Sequence, residues 1–284
     1  MKTNGLQVDT EKFVKQIINE KILNHTIQLF REINKEMKPY GSGVFCKIYD
    51  DYFIFTASHV ADYLDDNDNH LYIRIEVKRW ISLGGEIHRT EIEESAGLDL
   101  AYVKLQKDIG LILNKIYLCL ETNKLSIHRH QYTNRTNYCI LGYPEKNYKI
   151  QDGIIRTGSS YLVLPASDDK PYEYYKLPKE HFFITNLHGK VTDMFTGKKK
   201  KLDSRLNGIS GCGLWYFDLI YDSNTQKIGI DYRLIGIVTD LNKSKYYCLV
   251  ANKIHHIINA LRVFEQYQFV EKDSKYVHEF YPKD

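Results

Sequence analysis

The sequence lacks most of the features that settle a protein's class at a glance. It has six prolines and 17 glycines in 284 residues, too few for a fibrous or low-complexity chain. Its five cysteines, Cys46, Cys119, Cys139, Cys212 and Cys248, are scattered, odd in number and never form a CxxC pair. That excludes a disulfide-dense scaffold. It predicts free thiols in a reducing compartment, and so a cytoplasmic protein. No apolar run approaches the roughly 18–20 residues that cross a bilayer as a helix. The N-terminal residues also lack the apolar core of a secretory signal. An excess of one charge is missing too. Thirty-nine basic and 36 acidic side chains leave a net charge of +3, far from the balance of a dedicated nucleic-acid binder. No repeat of roughly 20–50 residues is present. The expected partners therefore include neither a membrane nor a nucleic acid.

What is present points to a β-rich globular protein. Hydrophobic residues make up 43% of the chain, enough for a packed core, and 23 tyrosines and 12 phenylalanines favour strands over a helical bundle. Apolar spacing predicts helix over residues 10–37, with Thr10 as N-cap and Phe13, Val14, Ile17 and Ile18 on one face. Asn24 interrupts it and starts a second helix carrying Ile27, Leu29, Phe30 and Ile33. From Gly41-Ser42-Gly43 onward the pattern changes to short apolar runs. Two of them flank Asp50-Asp51 as a hairpin. Further strands are expected at 71–77, 100–105, 137–142, 160–164, 181–185, 213–219, 233–239 and 246–251. A last helix spans 252–264, with Ile254, Ile257, Ile258 and Leu261 on one face. The pattern alone gives an all-β core, barrel or sandwich, with terminal helices.

Three segments carry chemistry. Thr56-Ala57-Ser58-His59 closes a strand. Leu98-Asp99-Leu100-Ala101 opens one. Gly208-Ile209-Ser210-Gly211-Cys212-Gly213 is a glycine-rich turn entering another. A serine hydroxyl is a poor nucleophile until a base removes its proton, and an imidazole does so near neutral pH. A carboxylate fixes the imidazole tautomer and stabilises the imidazolium that forms. Glycines around Ser210 allow a tight turn that can aim the Gly208 and Ser210 amides at one developing oxyanion.

These segments, in this order, resemble the chymotrypsin-like serine peptidases, closest in style to the intracellular bacterial trypsin-like domains. The three match the family's TA-x-H, D-[LI]-A and G-x-S-G-x-[GP] motifs. Ile140-Leu141-Gly142-Tyr143-Pro144 resembles a G-[YFN]-P turn, and Gly236-Ile237-Val238-Thr239 the strand that pairs with substrate. The resemblance spans residues 40–262. It implies two antiparallel six-stranded Greek-key barrels: a helical segment at 1–38, a first barrel at 39–125, a second at 126–251, and a C-terminal helix and tail at 252–284. The N-terminal helices would pack on the outside. It implies a serine endopeptidase with His59, Asp99 and Ser210 as triad, Gly208 and Ser210 as oxyanion hole, and Ser204, Thr239 and Asp240 at the substrate. No metal or organic cofactor is needed. The implied partners are a peptide or protein substrate and a regulatory protein. Intracellular bacterial relatives accompany signalling or phage-defence modules, which by analogy suggests antiviral defence. Ile209 stands where secreted members carry the Asp that pairs with a newly cut N-terminus, so activation by such cleavage is not expected.

Other readings stay open beside this one. A barrel pair with an idle site would bind a peptide or partner without cleaving it. Asp62, Asp65 and Asp66 are rivals to Asp99 but follow His59 closely. His128-Arg129-His130 with Cys119 and Cys139 fits no usual zinc spacing. Lys198–Lys201 reads as a solvated loop, with a partner contact, a cleavage site or an RNA contact as the sharper alternatives. His255-His256 is expected on the exposed side of the last helix.

Overall fold

The computed structural model describes residues 10–64, 69–90, 97–126, 137–152, 154–187, 190–192, 199–201, 206–222, 227–242, 244–269 and 279–281. The first described element is a helix, Thr10–Ile17 (α1). It continues through a π-turn at Ile18–Ile22 into Leu23–His25 (α2). The second helix expected after Asn24 is instead a strand, Thr26–Ile33 (β1). Its burial explains the misreading. The first five residues of β1 are all buried, so apolar residues occur on both faces and no alternation marks the strand.

The first sheet adds Glu36–Ile48 (β2), Asp51–Thr56 (β3), Leu71–Glu76 (β4), Arg79–Ser82 (β5), Gly85–Arg89 (β6), Ala101–Leu105 (β7) and the short Leu120–Glu121 (β8). Its order is β5-β4-β1-β2-β3-β7-β6, antiparallel throughout, with β8 beside β2 in parallel. Two helices decorate it, Ser58–Ala61 (α3) after β3 and Lys107–Leu113 (α4) after β7.

The second sheet is built from Asn137–Gly142 (β9), Ser160–Leu164, Phe182–Asn186, Gly213–Asp222, Lys227–Asn242, Cys248–Lys253 and Glu279–Tyr281. Two separate hairpins lie between these strands: Lys149–Gln151 (β10) with Ile154–Arg156 (β11), and Lys190–Thr192 (β14) with Lys199–Lys201 (β15). Ser160–Leu164 is β12 and Phe182–Asn186 is β13; the last four strands of the sheet are β16 to β19. The order is β12-β9-β16-β17-β18-β13, antiparallel, with β19 on β17. Asp169–Tyr175 (α5) precedes β13, and His255–Phe264 (α6) follows β18. The expected solvated loop at Lys198–Lys201 is thus corrected for 199–201, which pair as β15. Lys198 lies outside the described residues, as do Ser204, Asp65, Asp66 and 128–130.

The two sheets share one large core cluster. Val44, Phe53 and Tyr102 from the first meet Leu141, Trp215, Leu234 and Ile237 from the second. The terminal helices complete this cluster rather than coat it. Ile17, Ile18 and Ile22 are at most 1% exposed and sit in it with Ile257, Ile258 and Leu261 of α6. This corrects the expectation that the N-terminal helices pack on the outside. Burying each such isoleucine contributes about 1.5–3 kcal/mol, so the segment is part of the fold's interior.

All five cysteines are buried and free. Burial pushes every one of these thiols up, Cys248 to about 11. They are packing residues rather than reactive ones. Among the described residues, no helix is long and apolar enough to cross a membrane.

Candidate active site

Strand register brings the first two candidate residues together. β3 and β7 pair with Thr56 opposite Ala101. His59 lies three residues past the end of β3, and Asp99 two before the start of β7, so both emerge at one edge. There the Asp99 carboxylate takes two hydrogen bonds from His59. The backbone N–H donates to Oδ1 at 2.9 Å and the ring Nδ1 to Oδ2 at 2.6 Å. With Nδ1 donating, Nε2 is the free lone pair, the tautomer a general base requires. The hydrogen bond to Asp99 raises the His59 pKa above its ordinary value. Partial desolvation opposes this, while the charges of Asp99, Asp62 and Asp240 add to it. The His59 side chain is 41% exposed and Asp99 16%, so the base opens to solvent while its partner is sheltered. The rival Asp62 is tied to Arg89 at 2.6 Å and to the Ser58 hydroxyl.

Two residues not singled out by the sequence hold Asp99 in place. Thr90 accepts from the Leu100 N–H at 2.9 Å and donates to the Leu98 carbonyl at 2.8 Å, bracketing the aspartate. Asn252, 1% exposed in β18, reaches across from the second sheet. Its Oδ1 accepts the Asp99 N–H at 3.2 Å, and its Nδ2 donates to Thr239 Oγ1 at 2.7 Å. Thr239 was expected at the substrate. It lines the cleft, and its hydroxyl accepts from Asn252.

The Ser210 loop is fixed from both sheets. Gly211 N–H donates to the Val238 carbonyl, and Val238 N–H to the Cys212 carbonyl, both at 2.8 Å. From the first sheet comes Ser42 of β2, fully buried. Its N–H donates to the Ser210 carbonyl at 2.8 Å, and its hydroxyl to the Gly208 carbonyl at 2.8 Å. The Gly-Tyr-Pro turn after β9 backs the loop, with Tyr143 N–H donating to Ser42 Oγ at 3.3 Å and Glu145 N–H to the Asn207 carbonyl at 2.7 Å. Glycine is required at 211. Its φ is +87°, and a Cβ there would lie 2.1 Å from the Ser42 carbonyl oxygen. Nothing in the segment Gly41-Ser42-Gly43 marked Ser42 beforehand except its two flanking glycines. Cys212 is core, its Sγ and Cβ against Gly142.

His59, Asp99 and Ser210 line one cleft of about 660 Å³, with Leu206, Asn207, Thr239, Asp240, Leu241, Leu249 and Val250 among its other walls. Neither the Gly208 nor the Ser210 N–H has a hydrogen-bond partner among the described residues, so both donors are left over beside the serine. The Ser210 hydroxyl lies in the cleft without a hydrogen bond to the His59 ring. Such contacts are often long before substrate arrives. Asp240 is exposed at the cleft, its carboxylate capping the Leu241 N–H at 2.7 Å.

No family model and no curated protein matches the sequence. Solved structures do match. One is the scabies mite inactivated protease paralogue S-I1, which superposes with a TM-score of 0.51 at 13% identity, over 87% of this chain and 96% of that one. The fold is chymotrypsin-like. At that identity the likeness concerns the path of the backbone, and the chemistry of the chymotrypsin-like cleft must be argued from its own side chains.

Proposed function

We propose that this protein is a serine endopeptidase. The reading rests on one observation: the short Nδ1–Oδ2 hydrogen bond that fixes His59 as a base in the cleft that Ser210 lines. In this reading Ser210 Oγ attacks a peptide carbonyl while His59 Nε2 takes its proton. The Gly208 and Ser210 amides hold the oxyanion, and the imidazolium, stabilised by Asp99, protonates the leaving amine. Water, deprotonated by the same ring, then releases the acyl group. The five free thiols support a reducing compartment, the cytoplasm.

A second reading, an idle peptide- or partner-binding module, is favoured by the Ser210 hydroxyl being unbonded to the ring. A fluorophosphonate probe and a peptide library separate the two. The peptidase reading expects covalent labelling and peptide cleavage, both of which vanish in Ser210→Ala. Absence of labelling and cleavage in a folded wild type would leave the binding module.

A further inference from the structure

Outside the cleft, three histidines from two distant parts of the chain converge. His181 stands immediately before β13. His255 and His256 open α6. The sequence pointed the latter two at solvent; all three are half-buried and face one another. His181 Nδ1 and His256 Nε2 are 3.2 Å apart, and the His255 and His256 ring centroids 4.0 Å. One ring nitrogen from each of the three falls within a 4.8 Å span.

The spacing has a specific meaning. A tetrahedral zinc ion with Zn–N bonds of about 2.0–2.1 Å sets its nitrogen ligands roughly 3.3 Å apart along each edge. The His181–His256 pair already matches such an edge, and a His255 ring nitrogen lies within 4.8 Å of both. The backbone on either side of them is tied by hydrogen bonds. Lys253 N–H donates to the His181 carbonyl at 2.9 Å, and the next register pair, Phe182 with Asn252, belongs to the β13–β18 ladder. A second group, Glu86, His88 and Glu265, is differently occupied: Lys104 Nζ sits 2.7 Å from Glu265 and makes it an ion-pair network.

We propose that His181, His255 and His256 form a binding site for a divalent transition-metal ion of the zinc class, with water or an outside ligand in the fourth position. An all-imidazole set selects zinc, nickel and copper over calcium and magnesium, which require oxygen ligands. The ion would clamp the turn before β13 to the start of α6, against the strand whose Asn252 holds Asp99. The site stands on its own geometry and not on the peptidase reading.

Cobalt(II) titrated into the purified full chain should give the visible d–d absorption of a tetrahedral site at one equivalent, and zinc should abolish it. Zinc at about a hundredfold above its Kd should raise Tm by about 5 °C, reversed by a chelator. His181→Gln and His256→Gln should each weaken binding more than about 100-fold while keeping the metal-free Tm. The proposal is overturned if neither the absorption nor the Tm shift occurs in folded wild type. It is equally overturned if both survive in the two variants, which would place the ion elsewhere. Should a Gln variant not fold, His255→Gln with cobalt absorption decides in the same way.

Discussion

Two histidines show how environment sets one side chain's chemistry in opposite directions. His59, half-exposed and bonded to Asp99, is raised above the usual imidazole range. A base must be neutral, so the acid limb of kcat/KM should lie above about 6.5. Asp99→Asn should move that limb down and lower kcat by about 10⁴, because Nδ1 loses its acceptor and the tautomer is no longer fixed. A pH–rate series on both proteins checks this. His25 runs the other way. Burial lowers its pKa to about 4, outweighing the hydrogen bond to the Leu118 carbonyl, with Lys21 and Lys124 adding to the fall. Its Nδ1 donates to that carbonyl at 2.7 Å and its Nε2 accepts from the Tyr232 hydroxyl at 3.1 Å, so the neutral ring is fully used. The unfolded chain binds the proton more readily, so the contribution is complete above about pH 6.5 and lost as pH falls toward 4. The shift corresponds to about 3 kcal/mol. Urea denaturation at pH 7 and pH 4.5 should show most of that loss, and His25→Gln should flatten it.

At the scale of elements, the site is assembled by residues that bridge the two sheets. Asn252 on β18 holds Asp99 from across the interface, and Ser42 on β2 holds the Ser210 loop. Asn252→Ala strips the Asp99 N–H of its acceptor and Thr239 of its donor. A lost buried hydrogen bond of about 1–3 kcal/mol, felt at the carboxylate, should lower kcat about 10- to 100-fold with KM little changed. Peptide kinetics on the folded variant test this. The contrast with what was legible is instructive. His59, Asp99 and Ser210 could be read because short local motifs surround each, and strands such as 137–142 and 160–164 because apolar runs end at turn residues. Asn252 could not be read. It looked like the first residue of a helix, and its role comes from a contact with a residue 153 positions away. His181 is invisible for the same reason. β1 was misread because both its faces are buried and its apolar residues happen to fall at helical spacing.

At the scale of the whole molecule, neither sheet is independent. One core cluster runs through both sheets and both terminal helices, and the cleft that His59 and Ser210 share lies where the sheets meet. The helix at 10–25 is wedged into that junction, and its last residue, His25, is bonded to Tyr232, 207 positions downstream. The helix therefore cannot take its seat until Tyr232, 207 positions further on, has left the ribosome. Closing so long a loop is also slow. Nascent chains stalled short of Tyr232 should leave residues 14–22 open to protease, while longer ones protect them. A newly made chain thus carries its own delay: the junction between the sheets closes only after Tyr232 has been made.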